Sequence, residues 1–223
     1  MTFPVILALV AWGVFVAVDL VTTPQGLFSR PLVAATVAGA ISGDLSAGLL
    51  AGVVLELYAL DVLPIGASRY PDYGPASVAA GAAAALVPGH LVIGVAGVVG
   101  LPLAILGGYT LHVLRRRNAR SMARRLARVS AGDARAIWEL QRNGILRDAG
   151  RGLVLSVAGV ATALAVSRTP WQELPNASLL NWATAAGGLA AVLAGALRSG
   201  GHGARRRWLG VGLATGLIVV LLQ

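Results

Sequence analysis

The stretch LELYALDVLPIGASRYPD, residues 55–72, sets Glu56, Asp61, Arg69 and Asp72 beside Pro64 and Pro71 in a chain that is otherwise mostly apolar. Glu56 carries the sharpest chemical signal. It follows Val53, Val54 and Leu55 directly, and it shares a helical face with Gly48 and Gly52, each four residues apart. Small residues let a neighbouring helix approach, so Glu56 is expected to face protein rather than lipid. An ionised carboxylate at the centre of a membrane helix costs at least about 2.5–3.5 kcal/mol. A donor-rich ligand, an arginine or water has to offset that cost. A binding role and a structural ion pair both meet the requirement.

Other charged residues have narrower roles. Arg69 is a candidate partner for Glu56 or Asp61, or a gate residue reaching the interface. Asp19 and Arg30 flank the break after the first apolar run and are placed to form a second pair. Asp44 follows Gly43 in "GDLSAG", where it reads as the cap of the next helix. His90 in "VPGH" has no second histidine or acid at ligand spacing and reads as a turn residue at the membrane edge. Nucleophile elbow, zinc helix and phosphate loop are all missing from the sequence, so no catalytic residue, metal or cofactor is expected. The chain has no cysteine, which removes disulfides, thiolate metal sites and a phosphocysteine.

The elements that position these residues are membrane helices. The chain has 223 residues, 57% of them hydrophobic and 12% charged, and its mean hydropathy is +0.76. A soluble domain carries about 25% charged residues. The apolar runs 3–18, 32–41, 45–60, 78–114, 153–166, 179–197 and 208–222 are bilayer-scale or fractions of it. No basic residue precedes Arg30, so 3–20 reads as a retained helix rather than a secretory signal. The net charge of +9 comes from 18 arginines, 11 of them between Arg115 and Arg151 and four between Arg198 and Arg207. Arginine gathered in the breaks between apolar runs is a positive-inside signal, not a nucleic-acid face. Residues 115–151 and 198–207 are accordingly expected on the cytoplasmic side and 168–178 outside, with Trp171 and Trp208 as interfacial rings. The segment 133–146 suits an amphipathic helix on the membrane surface, facing anionic lipid or a cytoplasmic partner, or else a solvated linker helix. Residues 76–87 cover only about 18 Å of helix, roughly half a bilayer core. A half-span that starts at a Pro/Gly-rich loop predicts a re-entrant hairpin, and interrupted short segments mark transporter sites. The expected fold is thus all-α: a polytopic helical integral membrane protein with re-entrant hairpin(s) and broken helices. It forms one membrane domain over 1–223, with N-terminal helices and a hairpin near 62–75 in 1–114, an arginine-rich connector over 115–151, and C-terminal helices over 152–223.

The order of motifs adds a resemblance. Asp19 and Arg30–Pro31 are followed by Gly39, Gly43–Asp44, Gly48, Gly52, Leu55–Glu56, Ile65–Gly66–Ala67 and Pro71–Asp72. This resembles the RP-x(n)-G-x(3)-GD-x(3)-G-x(3)-G-x(2)-LE pattern, with its IGAA-like loop and PD, of the membrane IIC subunit in the mannose/fructose/sorbose family of the bacterial phosphotransferase system. Residues 174–197 resemble its second-half stretch more weakly. Arg69 and Tyr70 stand where that pattern has small or apolar residues. The resemblance implies a multi-pass subunit of the bacterial inner membrane. Such a subunit pairs with a membrane IID subunit as an oligomer of IIC–IID pairs, and binds a hexose and carries it inward by an elevator-like movement. Cytoplasmic IIA and IIB subunits perform the phosphoryl transfer, so the chain itself is not an enzyme. The hexose contacts it implies lie around the loop Pro64–Ser68, and Glu56, on its small-residue face, is expected to form the sugar pocket with Ile65, Gly66, Ala67 and Ser68. Asp19, Arg30, Asp61, Arg69 and Asp72 support or gate them. The alternative is a non-transporting scaffold or regulator of the same descent that docks cytoplasmic proteins.

Overall fold

The computed structural model describes residues 1–60, 62, 68–171, 176–199, 207 and 211. Among these, every regular element is a helix. They are α1 (Phe3–Asp19), α2 (Pro31–Ser42), α3 (Leu45–Leu60), α4 (Tyr73–Ala84), a 3-10 turn (Gly89–Leu91), α5 (Val92–Arg124), α6 (Leu126–Ser130), α7 (Ala134–Ser167) and α8 (Ser178–Ser199). Three are long and apolar enough to cross a membrane: Gly89–Arg124, Ala134–Ser167 and Ser178–Leu197. The last apolar run, 208–222, lies outside the described residues.

The remaining helices are broken. Gly43 ends α2 in the left-handed conformation at φ +99°, open to glycine without strain. Asp44 then starts α3: its Oδ1 accepts from Ala47 N at 2.9 Å and from the Ser46 hydroxyl at 2.6 Å. The two helices return on each other so closely that a Cβ on Gly39 would stand 2.5 Å from Gly48 Cα. Only a glycine pair allows that approach.

Helix α4 has 12 residues, and everything from Gly74 to Ala84 is buried. At about 1.5 Å per residue it is too short to cross a bilayer. Its sequence, YGPASVAAGAAA, is nearly all small residues, and α1, α2, α3, α5 and α7 close around it. A helix end at membrane depth is tolerated only where protein satisfies it. Here the Asp72 side chain accepts from Gly74 N at 3.2 Å, and Asp72 N donates to Ala104 O at 2.9 Å.

Contacts between small residues fix the helix directions. Gly13 meets Ser156 and Gly152 meets Ala17, so α1 and α7 are antiparallel. Gly94 meets Leu180 and Gly97 meets Thr184, so α5 and α8 run parallel. The N-terminus therefore shares a side with Ser167 and Ser178, and the arginine-rich ends of α5 and α7 share the other. The outer faces carry Leu7, Leu49, Val53, Ile105, Val154, Val157 and Leu193, all exposed, as a lipid-facing surface requires.

Two sequence expectations change. Residues 133–146 are not a separate surface helix: they are the first part of α7, continuous with its apolar part. They pair with the end of α5, where Glu139 Oε2 lies 3.5 Å from Arg125 Nη2, and just beyond them Arg147 Nη1 reaches Asn118 Oδ1 at 3.1 Å and Ser121 Oγ at 2.8 Å. Trp171 is not an interfacial ring. It is buried on the cluster around Leu9, and its indole N–H donates to Val166 O at 2.8 Å. Gly187 and Gly188 of α8 seat Tyr58 and Leu57 of α3.

Candidate functional site

Proline at the first position of α2 explains what Glu56 does. Pro31 has no amide hydrogen, so Leu32 N is the first helix donor without an intrahelical partner. Glu56 Oε2 accepts from it at 3.1 Å, and Oε1 is bonded to the Arg30 guanidinium. The pair is half-buried, with side-chain exposures of 40% for Arg30 and 19% for Glu56. The glycine face brings this about: a Cβ on Gly52 would sit 2.9 Å from Leu32 Cα and Pro31 O, so α3 delivers Glu56, four residues on, to the start of α2.

Asp19 is buried and does not pair with Arg30. Its carboxylate accepts from Gly26 N at 2.6 Å and Ser29 N at 2.9 Å, which ties the 20–30 segment to the end of α1. Phe28 completes the tie by packing on Phe15 with ring centroids 5.2 Å apart. Asp19 thus fixes the approach to Arg30. Arg69 is exposed, and Glu56 is paired with Arg30 instead. Asp61, Ile65, Gly66 and Ala67 lie outside the described residues. Ser68 is described: its carbonyl accepts from Arg115 Nη1 at 3.2 Å. Arg115 also donates to the Tyr70 hydroxyl and lies over the Tyr70 ring, 4.6 Å from its centroid.

Below the first turn of α4 lies a charge network. Asp72, fully buried, is 2.6 Å from Arg151 Nη1, and Asp148, also fully buried, is 3.0 Å from Arg151 Nε. Arg151 Nη2 donates to Ala17 O at 3.3 Å, and the Thr22 hydroxyl donates to Asp148 Oδ2. One guanidinium therefore joins the ends of α1 and α4 to α7. Sequence reading assigned Arg151 to the arginine-rich connector and gave Asp148 no role. The available signal was their i, i+3 spacing at the start of the apolar run 153–166, which puts acid and base on one helix face.

Between these groups is a small cavity of about 60 Å³, lined by Ser29, Arg30, Pro31, Tyr70 and Tyr73 among others. It has one guanidinium, already neutralised by Glu56, and hydroxyl groups at its edge.

Fold and site define a polytopic helical membrane protein, its polar centre built where broken helices start and end. The family follows from the comparisons. A family model described as "PTS system sorbose-specific iic component" matches residues 3–198, so the chain belongs to that family and is a sugar-transport IIC subunit of a phosphotransferase system. A search of the curated proteins finds no match. Two solved structures share the fold. One, titled "Structure of membrane protein", aligns with a TM-score of 0.73 at 22% identity, covering 100% of this chain and 94% of that one. The other is the mannose transporter ManYZ in complex with microcin E492, with a TM-score of 0.55 at 20% identity, covering 100% of this chain and 95% of that one.

Proposed function

We propose that this chain binds a hexose beside the Arg30–Glu56 pair and carries it inward across a bacterial inner membrane. In this reading it works with a membrane IID subunit and with cytoplasmic IIA and IIB subunits that phosphorylate the sugar. The observation that carries the reading is the half-buried Arg30–Glu56 pair at the start of α2, which opens onto a cavity edged by Ser29, Tyr70 and Tyr73. A neutral ion pair gives a neutral polyol both donors and acceptors without leaving a buried net charge. Glu56 serves mainly to hold Arg30 and the first amide of α2, so Arg30 is the group presented to the sugar. Ile65–Ala67 and Ser68 are assigned to the same site on the family pattern. The cavity is smaller than a hexose, so sugar entry needs the Tyr70 side to move, in keeping with a transporter that alternates between shapes.

The test is hexose binding to the purified membrane complex. Arg30→Gln removes the guanidinium presented to the sugar and with it a charge-assisted bond worth about 1.5–3 kcal/mol, so affinity is expected to fall roughly tenfold or more. Gly66→Val is expected to abolish binding. Wild-type affinity in both variants would place the sugar elsewhere.

A further inference from the structure

A second, larger cleft lies on the arginine-rich side of Tyr70. It has two connected parts, about 460 and 510 Å³, which share Val21, Thr22 and Asn118. Each is within the range of about 300–1,000 Å³ typical of small-molecule sites. The neutral polar side chains are Thr22, Thr23, Gln25, Asn118, Ser121 and Gln141, and the cations are Arg115 and Arg147. Among the described residues, no carboxylate lines either part.

The two guanidiniums are held in place by neighbouring side chains and backbone. Arg147 is oriented by Asn118 and Ser121, and both of these bonds use Nη1. Arg115 is oriented by Ser68 O and by the hydroxyl and ring of Tyr70. Arg115, Asn118 and Ser121 follow at i, i+3 and i+6, so they share one face of α5. Pre-oriented guanidinium forks match phosphate oxygens. Hydroxyl and amide groups between them match sugar hydroxyls. The contrast with Arg30 is one of charge: Arg30 is neutralised by Glu56, whereas the arginines of the cleft meet no acid among the described residues of its lining.

We propose that this cleft binds a phosphate monoester on a polyhydroxylated carrier, a sugar phosphate, on the cytoplasmic side. The proposal rests on the hexose-transport reading and gives that site its exit: the neutral sugar is held beside Arg30, and the anionic product is received beyond Tyr70. A phospholipid headgroup offers the same phosphate chemistry, and the experiment separates the two.

The full chain in phosphatidylcholine nanodiscs is titrated with inorganic phosphate, a hexose and the corresponding hexose 6-phosphate. The hexose phosphate is expected to bind more tightly than inorganic phosphate. Gln141→Glu adds a carboxylate at an exposed position of the cleft, leaves the Arg147 bonds untouched, and is expected to weaken hexose phosphate binding roughly tenfold while sparing the hexose. Arg147→Lys keeps the charge but loses the fork and is expected to weaken binding severalfold. Hexose phosphate affinity unchanged in both variants overturns the proposal. So does hexose phosphate binding no tighter than inorganic phosphate and suppressed in phosphatidylglycerol nanodiscs, which assigns the cleft to a lipid headgroup. Hexose binding without hexose phosphate binding overturns this inference alone. Hexose phosphate binding without hexose binding overturns the hexose site beside Arg30.

Discussion

Replacing Arg151 by methionine removes the cation bonded to two fully buried carboxylates. The Arg151 side chain is 7% exposed and those of Asp72 and Asp148 are 0% exposed, so solvent does not take over their charge. Breaking a buried pair by deleting one partner costs about 3–5 kcal/mol, because the remaining charge is stranded. Here two carboxylates are stranded, together with Ala17 O, which accepts from the same guanidinium. For a chain of this size each kcal/mol moves the melting temperature by roughly 2–4 °C, so Arg151→Met is expected to lower Tm by roughly 6–20 °C. The assay is thermal unfolding in detergent followed by the fluorescence of the five tryptophans. Asp148→Asn leaves the Asp72–Arg151 pair intact and is expected to cost less. The triple variant Arg151→Met/Asp72→Asn/Asp148→Asn removes every stranded charge and is expected to recover most of the loss. A Tm for Arg151→Met within about 2 °C of wild type would refute the reasoning, because a stranded buried carboxylate cannot be that cheap.

Cysteines placed singly at Thr2, Ser130 and Thr169 of this cysteine-free chain test the helix directions: Thr2 and Thr169 are expected to label from one side of the membrane and Ser130 from the other, and labelling of all three by one externally added impermeant reagent contradicts the antiparallel α1–α7 pairing. Gly39→Val forces a side chain into the α2–α3 contact and is expected to abolish the monodisperse folded peak on size-exclusion chromatography, whereas Gly89→Val, in open space, leaves it unchanged. Asp133 caps α7 by accepting from Arg135 N at 3.0 Å and Ala136 N at 3.2 Å. The hydrogen bond from Arg128 and then that from Ala136 N hold its carboxyl below the ordinary range. Its contribution is therefore full above the unfolded value of about 3.9 and is lost as pH falls through the lower folded value. Hydrogen exchange at Arg135 and Ala136, corrected for intrinsic rate, is expected to lose protection on acidification in wild type and to be insensitive to pH in Asp133→Asn.

What the sequence determined by itself was whatever short-range physics fixes. Long apolar runs need lipid, so the helical membrane class was legible. Arginines gathered at two breaks marked one side of the chain. Gly43 followed by Asp44 marked a helix end and a cap, because φ and capping depend on neighbours within four residues. The face of Gly48, Gly52 and Glu56 was legible for the same reason, and with it the inward direction of Glu56. Which charge met Glu56 was not legible: the sequence offered Arg69 and set Arg30 against Asp19, and only the packing of Gly52 on Leu32 brought Arg30 to Glu56. Asp19 could bond either a guanidinium or backbone amides, and the path of residues 20–30 gave it Gly26 N and Ser29 N. Arg151 looked like the last of the connector arginines. Its burial depends on Asp72, 79 residues away, reaching it from the start of α4, and no local pattern encodes a meeting at that separation. Charge pairing between distant helices is set by the order in which those helices stack, and that order was decided by which small-residue faces fit one another in three dimensions.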